Sequence, residues 1–95
     1  GMALGIDACT HEAAIKYGKT IPVLGTPLEN IYPKSNEDLF KKISNGFGIA
    51  ISEYSPGTIN SPWHFPQRNR LISALSEAVI VVEGDTQSGA LITAR

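Results

Sequence analysis

Cysteine is nearly missing from this 95-residue chain. The one example, Cys9, has no partner for an internal disulfide, which excludes a covalently stapled fold and suits a reducing compartment. Long apolar runs are lacking too. No run approaches the ~20 residues that cross a bilayer, and no stretch reads as a signal peptide. The expected setting is therefore the cytoplasm, with no membrane partner. An excess of charge of either sign is also missing: 8 Lys and Arg face 9 Asp and Glu, a net charge of -1. The molecule as a whole has no field that draws nucleic acid, so any anion site must be a local patch.

Recognisable catalytic patterns are missing as well. His11-Glu12 lacks the second histidine of a zinc-protease helix, since Ile15 stands where it belongs. No paired Cys/His spacing offers a metal site, and neither a G-x-S-x-G elbow nor a phosphate-binding P-loop occurs. Gly46-Phe47-Gly48 precedes an expected strand instead of following one, so it is no dinucleotide loop. Glu53 and Glu83 stand at expected strand ends as a possible carboxylate pair, but acids there more often hold loops or sugar hydroxyls. The expectation is a chain without metal or cofactor.

What is present is a globular composition, 42% hydrophobic and 18% charged. One small domain over residues 1–95 is expected, burying roughly 60–65% of its unfolded surface and stable by a thin margin. Asp7 reads as the N-cap of a helix over Ala8–Tyr17 that stops at Gly18. Thr20–Gly25 is a short buried strand. Asn36 caps a helix over Glu37–Ser44, with Leu39, Phe40 and Ile43 on one face, and Asn45-Gly46 ends it. Phe47–Ser52 is the next strand. Helix Gln67–Ser76 follows, then strand Ala78–Glu83, the most apolar of all, and a further helix from near Ser88. Alternating strands and helices with continuous apolar strands predict an α/β fold, a Rossmann-like three-layer sandwich with a mostly parallel sheet. GMALGIDA has no polar lead-in and SGALITAR stops within an expected helix, so truncation at both ends is expected.

In such sheets ligands bind beyond the carboxyl ends of the strands. The loops there are Gly25-Thr26-Pro27, the connection Glu53–Pro66 and Glu83–Ser88. The second is roughly 14 residues long where 2–6 are usual, and connections of that length commonly serve function. It runs into WHFPQRNRLIS. Pro66 fits the first turn of a helix, and Arg68 and Arg70 then lie near its positive end, suited to phosphate. Arginine there opposes the helix dipole, which favours acids in the first turn. Phe65 reads either as a hydrophobic staple on Leu71 or Ile72 or as a platform for a stacked base, and Trp63 is ambiguous in the same way. His64 reads as bonded to its own loop. In TQSGALITAR, Thr86 or Ser88 caps a helix and Gly89 admits a close anion, with Arg95 about two turns on. A plain capped helix explains that stretch equally well.

These segments together carry a resemblance. ALGIDACTHEAAI, TIPVLGTPLENIYPKSN, SEYSPGT, HFPQRNRLISALS and VIVVEGDTQSGALITAR follow one another as in the DNA-processing protein A (DprA/Smf) family, which acts on incoming single-stranded DNA in natural transformation. The resemblance implies an extended Rossmann fold, a homodimer, and binding of single-stranded DNA to help load a strand-exchange recombinase, without turnover. It places the base-stacking aromatic at Phe65 and the phosphate and positioning group at Arg68, Asn69 and Arg70. It matches the final helix motif to Ser88, Gly89, Thr93 and Arg95. Pro62 stands where many relatives carry a basic residue, which implies one phosphate contact fewer. The family's Gly-Ser-Arg loop lies upstream of the stretch seen here and its last strands downstream, so the DNA pocket is expected to be incomplete within residues 1–95. Two other readings stand beside this one. Ser55-Pro56-Gly57-Thr58 distantly resembles the phosphate loop of nucleotide phosphoribohydrolases, and an exposed helix face or the long loop fits a protein-interaction module.

Overall fold

Helix α1 spans Ile6–Tyr17 in this computed structural model, which describes residues 1–82 of the chain. Glu83, the expected helix from Ser88, and with them Gly89, Thr93 and Arg95, lie outside the described residues. α1 is rich in alanine, a strong helix former, and buries His11 and Ile15, one turn apart on one face. It starts earlier than expected. The N-cap position belongs to Gly5, whose φ of 82° favours glycine, and Asp7 falls in the first turn. There Asp7 does not cap its own helix. Its Oδ2 accepts from the Ala3 N–H at 3.0 Å and so bends the preceding segment onto the helix start. Gly18 ends α1 as expected, in an extended conformation.

The first two of the three expected strands pair in parallel but are short: β1 is Val23–Leu24 and β2 is Ile51–Ser52. A separate parallel bridge joins Thr20 to Gly48. Between bridge and strand, Pro22 has no N–H to give, and only its carbonyl is used, accepting from Ile51 N–H at 2.9 Å. The close approach at the bridge requires glycine, because a Cβ on Gly48 would run into the Thr20 carbonyl.

Helix α2, Glu37–Lys42, is shorter than expected and passes into a wide turn over Ile43–Phe47, opened by the positive φ of Gly46. Asn36 holds its N-cap position as expected, but the side chain makes no capping hydrogen bond. The side chain is 7% exposed and donates from Nδ2 to the Met2 carbonyl at 2.8 Å and the Ala3 carbonyl at 3.2 Å. It thereby fastens the segment before α1 to the start of α2. Helix α3 spans His64–Leu75, again beginning before the expected residue, with Pro66 in its first turn where no N–H is needed.

Side-chain alternation in β1 decides the layers. Leu24 packs in the core with Met2, Ile15, Ile31 and Ile43, backed by Leu39 and Phe40. Val23 and its register partner Ile51 face the other way, into a cleft shared with Ile72 and Leu75 of α3. The sheet thus carries α1 and α2 on one face and α3 on the other, as a Rossmann-like arrangement requires. The third, Ala78–Glu83, is not seen among the described residues: none of residues 78–82 is in a strand, and Ile80 is 86% exposed. Val79, Ile80 and Val81 line a cleft with Pro66, Asn69 and Ile72 instead. Apolar composition marks a run that favours cover, but it does not supply the strand edge on which to pair.

Candidate nucleic-acid interface

Because β1 and β2 are parallel, their carboxyl ends open on one edge, and the turn Gly25-Thr26-Pro27 meets the connection after Ser52 there. The Ser52 hydroxyl donates to the Thr26 carbonyl at 2.7 Å and accepts from Tyr54 N–H at 3.1 Å, fixing the spacing of the two loops. Glu29 adds a second tie, accepting from Gly57 N–H at 3.0 Å. Gly57 has a φ of 84°, which favours glycine at this turn. The Thr58 N–H bonds the Ser55 carbonyl at 3.1 Å. The Gly57 and Thr58 amides are thus engaged inside the protein, which leaves neither of them for the phosphate cradle of the phosphoribohydrolase reading.

α3 begins over this edge. Tyr54 stacks on His64 with ring centroids 4.1 Å apart, and its hydroxyl donates to Gln67 Oε1 at 2.9 Å. Burial, reinforced by Glu53, raises the Tyr54 phenol above its ordinary value, so it stays a donor. His64 departs from the expected loop hydrogen bond: its ring lies on Tyr54, and its buried Nδ1 has no partner among the described residues.

Phe65 is half-buried. Its ring covers Gly25 on the β1 turn and meets Tyr32 at a centroid distance of 5.7 Å and a tilt of 46°. The ring is not sealed in, since it lines clefts on several sides, one of them with Asp7, Arg68 and Asn69. It is not a staple in the expected sense either, because it precedes Pro66 inside α3 and packs on the β1 turn and Tyr32.

Arg68 differs most from the sequence expectation. α3 starts at His64, so Arg68 lies a full turn in, and its side chain points to the sheet, 8% exposed. Nη1 donates to the Val23 carbonyl at 2.6 Å and Nε to Asn69 Oδ1 at 3.0 Å. The guanidinium carbon is 5.9 Å from the Phe65 centroid, within reach of a cation–π attraction. Burial pulls its pKa down, Asp7 opposes that, and the group remains a cation. Arg70, on the exposed side of α3, forms an ion pair with Glu53. Phe65, Arg68 and Asn69 therefore share one cleft, and Arg70 does not line it.

Trp63, ambiguous in sequence, is 80% exposed at the start of α3. Sequence reasoning missed Tyr32, which is 59% exposed beside Phe65. The available signal was an aromatic wedged between a buried isoleucine and a proline in NIYPKS. Among the described residues no cluster of His, Cys, Asp and Glu is arranged to hold a metal ion, and no helix is long and apolar enough to cross a membrane.

Known proteins share both the sequence and this arrangement. The chain is 48% identical over 95 residues to the DNA processing protein DprA of Bacillus subtilis, covering 99% of this chain and 32% of that protein. Protein Smf of Synechocystis is 48% identical over 96 residues, covering 100% of this chain and 24% of its own length. The crystal structure of DNA processing protein A from Streptococcus pneumoniae superimposes with a TM-score of 0.87 at 46% identity, over 98% of this chain and 33% of that one. This chain thus spans about a quarter to a third of the relatives it matches. A family profile described as DNA recombination-mediator protein A matches residues 1–95, and the chain belongs to that family, DprA/Smf.

Proposed function

We propose that this chain forms the part of a DNA-processing protein that holds single-stranded DNA, at the carboxyl edge of its parallel sheet. The relatives' names, DNA processing protein and recombination-mediator protein, support the broader role. The observation that carries the finer one is Phe65, held over Gly25 with one flank open and the Arg68 cation beside it. Single strands are held without sequence readout by two forces, phosphate charge and base stacking, and this cleft offers a partner for each. Phe65 takes a base. Arg68, largely committed to the sheet, contributes a fixed positive field and keeps the ring in place, and Asn69 completes the wall. Arg70 meets phosphate on the outer side of α3 once Glu53 is displaced. Ser88, Gly89, Thr93 and Arg95, outside the described residues, belong to the same proposal as further nucleic-acid contacts.

The protein acts in the cytoplasm by binding rather than turnover. It works as a homodimer that passes the strand to a strand-exchange recombinase. Fluorescence anisotropy with a labelled oligonucleotide at ~0.1 M salt tests the binding step on the intact protein, since such affinities have meaning only at a stated salt. Phe65→Ala is expected to weaken binding about 5- to 150-fold, the range that stacking of about 1–3 kcal/mol per base gives. Unchanged affinity rejects the site. Incubation with nucleoside monophosphates is expected to release no free base.

A further inference from the structure

We infer that Tyr32 supplies a second stacking position beside Phe65, in a cleft that accepts one more unpaired nucleobase of the strand. The inference rests on the single-strand reading above. The cleft measures about 430 Å³ and is lined by Tyr32, Asn60, Ser61, Pro62 and Phe65, a size usual for small-ligand sites. The Tyr32 and Phe65 rings meet at 46°, so neither covers the other's face. A planar base enters against the open face of Tyr32, with the edge of Phe65 behind it.

Exposure of a large ring has a cost in water, yet Tyr32 is 59% exposed and held in place. Ile31 before it is buried in the core, and Asn36 after it is bonded to the Met2 and Ala3 carbonyls. An aromatic anchored on both sides loses little freedom when a ligand stacks on it. The polar lining suits the same occupant. The Asn60 amide and Ser61 hydroxyl can each donate and accept, so they meet the edge of any base and impose no sequence. Among the described residues no carboxylate lines the cleft to repel the phosphates on either side.

The experiment uses the intact protein with a fluorescein-labelled oligothymidylate of ~15 nucleotides, a length that spans several stacking positions. A second probe carries 2-aminopurine, whose fluorescence falls on stacking. Tyr32→Ala is expected to weaken anisotropy-measured affinity about 5- to 150-fold and to raise the 2-aminopurine signal of the complex. Tyr32→Phe, which keeps the ring, recovers most of the loss. If Tyr32→Ala lowers the melting midpoint, Tyr32→Leu is compared instead, since it keeps apolar bulk without a ring. Affinity and quenching like the parent protein's in the ringless variant overturn the inference. If Phe65→Ala still weakens binding in that case, the single-strand reading stands without Tyr32. A parent protein that ignores both probes overturns the two together.

Discussion

The Phe65 ring lies so close to Gly25 that a Cβ added there would sit 2.5 Å from its Cδ1. The β1 turn and the first turn of α3 are thereby in contact through a ring and a bare backbone, and the ring's position is set by the missing side chain. Gly25→Ala is expected to destabilise the protein by about 1–3 kcal/mol, the usual cost of overpacking, and to displace the ring. Chemical denaturation checks it, and Gly25→Ala combined with Phe65→Ala should cost less than the sum of the single changes, because the smaller side chain removes the clash.

Arg68 holds the fold as well as the site. Arg68→Met removes the donor to the Val23 carbonyl and leaves that buried acceptor without it. A loss of about 1.5–3 kcal/mol is expected, as for hydrogen bonds to charged groups. Thermal and denaturant midpoints measure it, and the oligonucleotide affinity of Arg68 variants is to be read only at temperatures where both proteins are folded.

Arg70 is restrained by Glu53 on the surface. Glu53→Gln is expected to change stability by less than ~1 kcal/mol, since exposed ion pairs contribute little. It should also free a guanidinium for phosphate, tightening oligonucleotide binding several-fold and steepening its dependence on salt. Anisotropy titrations at several salt concentrations provide the check.

Asn36 faces two carbonyl oxygens with its amide. Asn36→Asp turns that donor into a charged acceptor aimed at them, and about 2–4 kcal/mol of destabilisation is expected from an unpaired buried charge and two orphaned carbonyls. Asn36→Ser, a shorter donor, should lose less. Melting midpoints of the two variants at neutral pH decide the matter.

His11 makes stability depend on pH. Its Nε2 donates to the Gly1 carbonyl at 2.6 Å, and Nδ1 accepts from the Thr20 hydroxyl at 2.8 Å, which fixes one neutral tautomer. Burial lowers its pKa below the ordinary value of about 6.5. The unfolded chain then binds the proton more readily than the folded one, so stability is fully present above about pH 6.5 and declines as the pH falls from there toward the lowered value. Melting midpoints between about pH 7.5 and 5.5 should fall in the parent protein and flatten in His11→Asn.

The order of elements from α1 to α3, the parallel sense of the two paired strands and the gathering of Phe65 and Arg68 at one edge were legible before any coordinates. Each follows from patterns a few residues long: apolar runs, helix formers, glycine stops, and a proline opening α3. The errors share a cause. Asp7 and Asn36 have the chemistry of caps, but each side chain bonds a neighbouring segment, Asn36 across a separation of 34 residues. Arg68 reads as a surface cation near a helix start and instead reaches Val23, 45 residues away. Ala78–Val82 is apolar enough for a strand but is in none and lies along α3.

Composition and local pattern specified α1, α2, α3 and the two paired strands, though not the state of residues 78–82, because propensity and capping act within about one helical turn. They did not reveal that Asn36 is a clasp, that Arg68 faces inward, or that Tyr32 stands open beside Phe65. Those outcomes depend on which polar group meets which carbonyl once distant segments pack, and a buried donor takes the acceptor within its reach, whatever the distance along the chain.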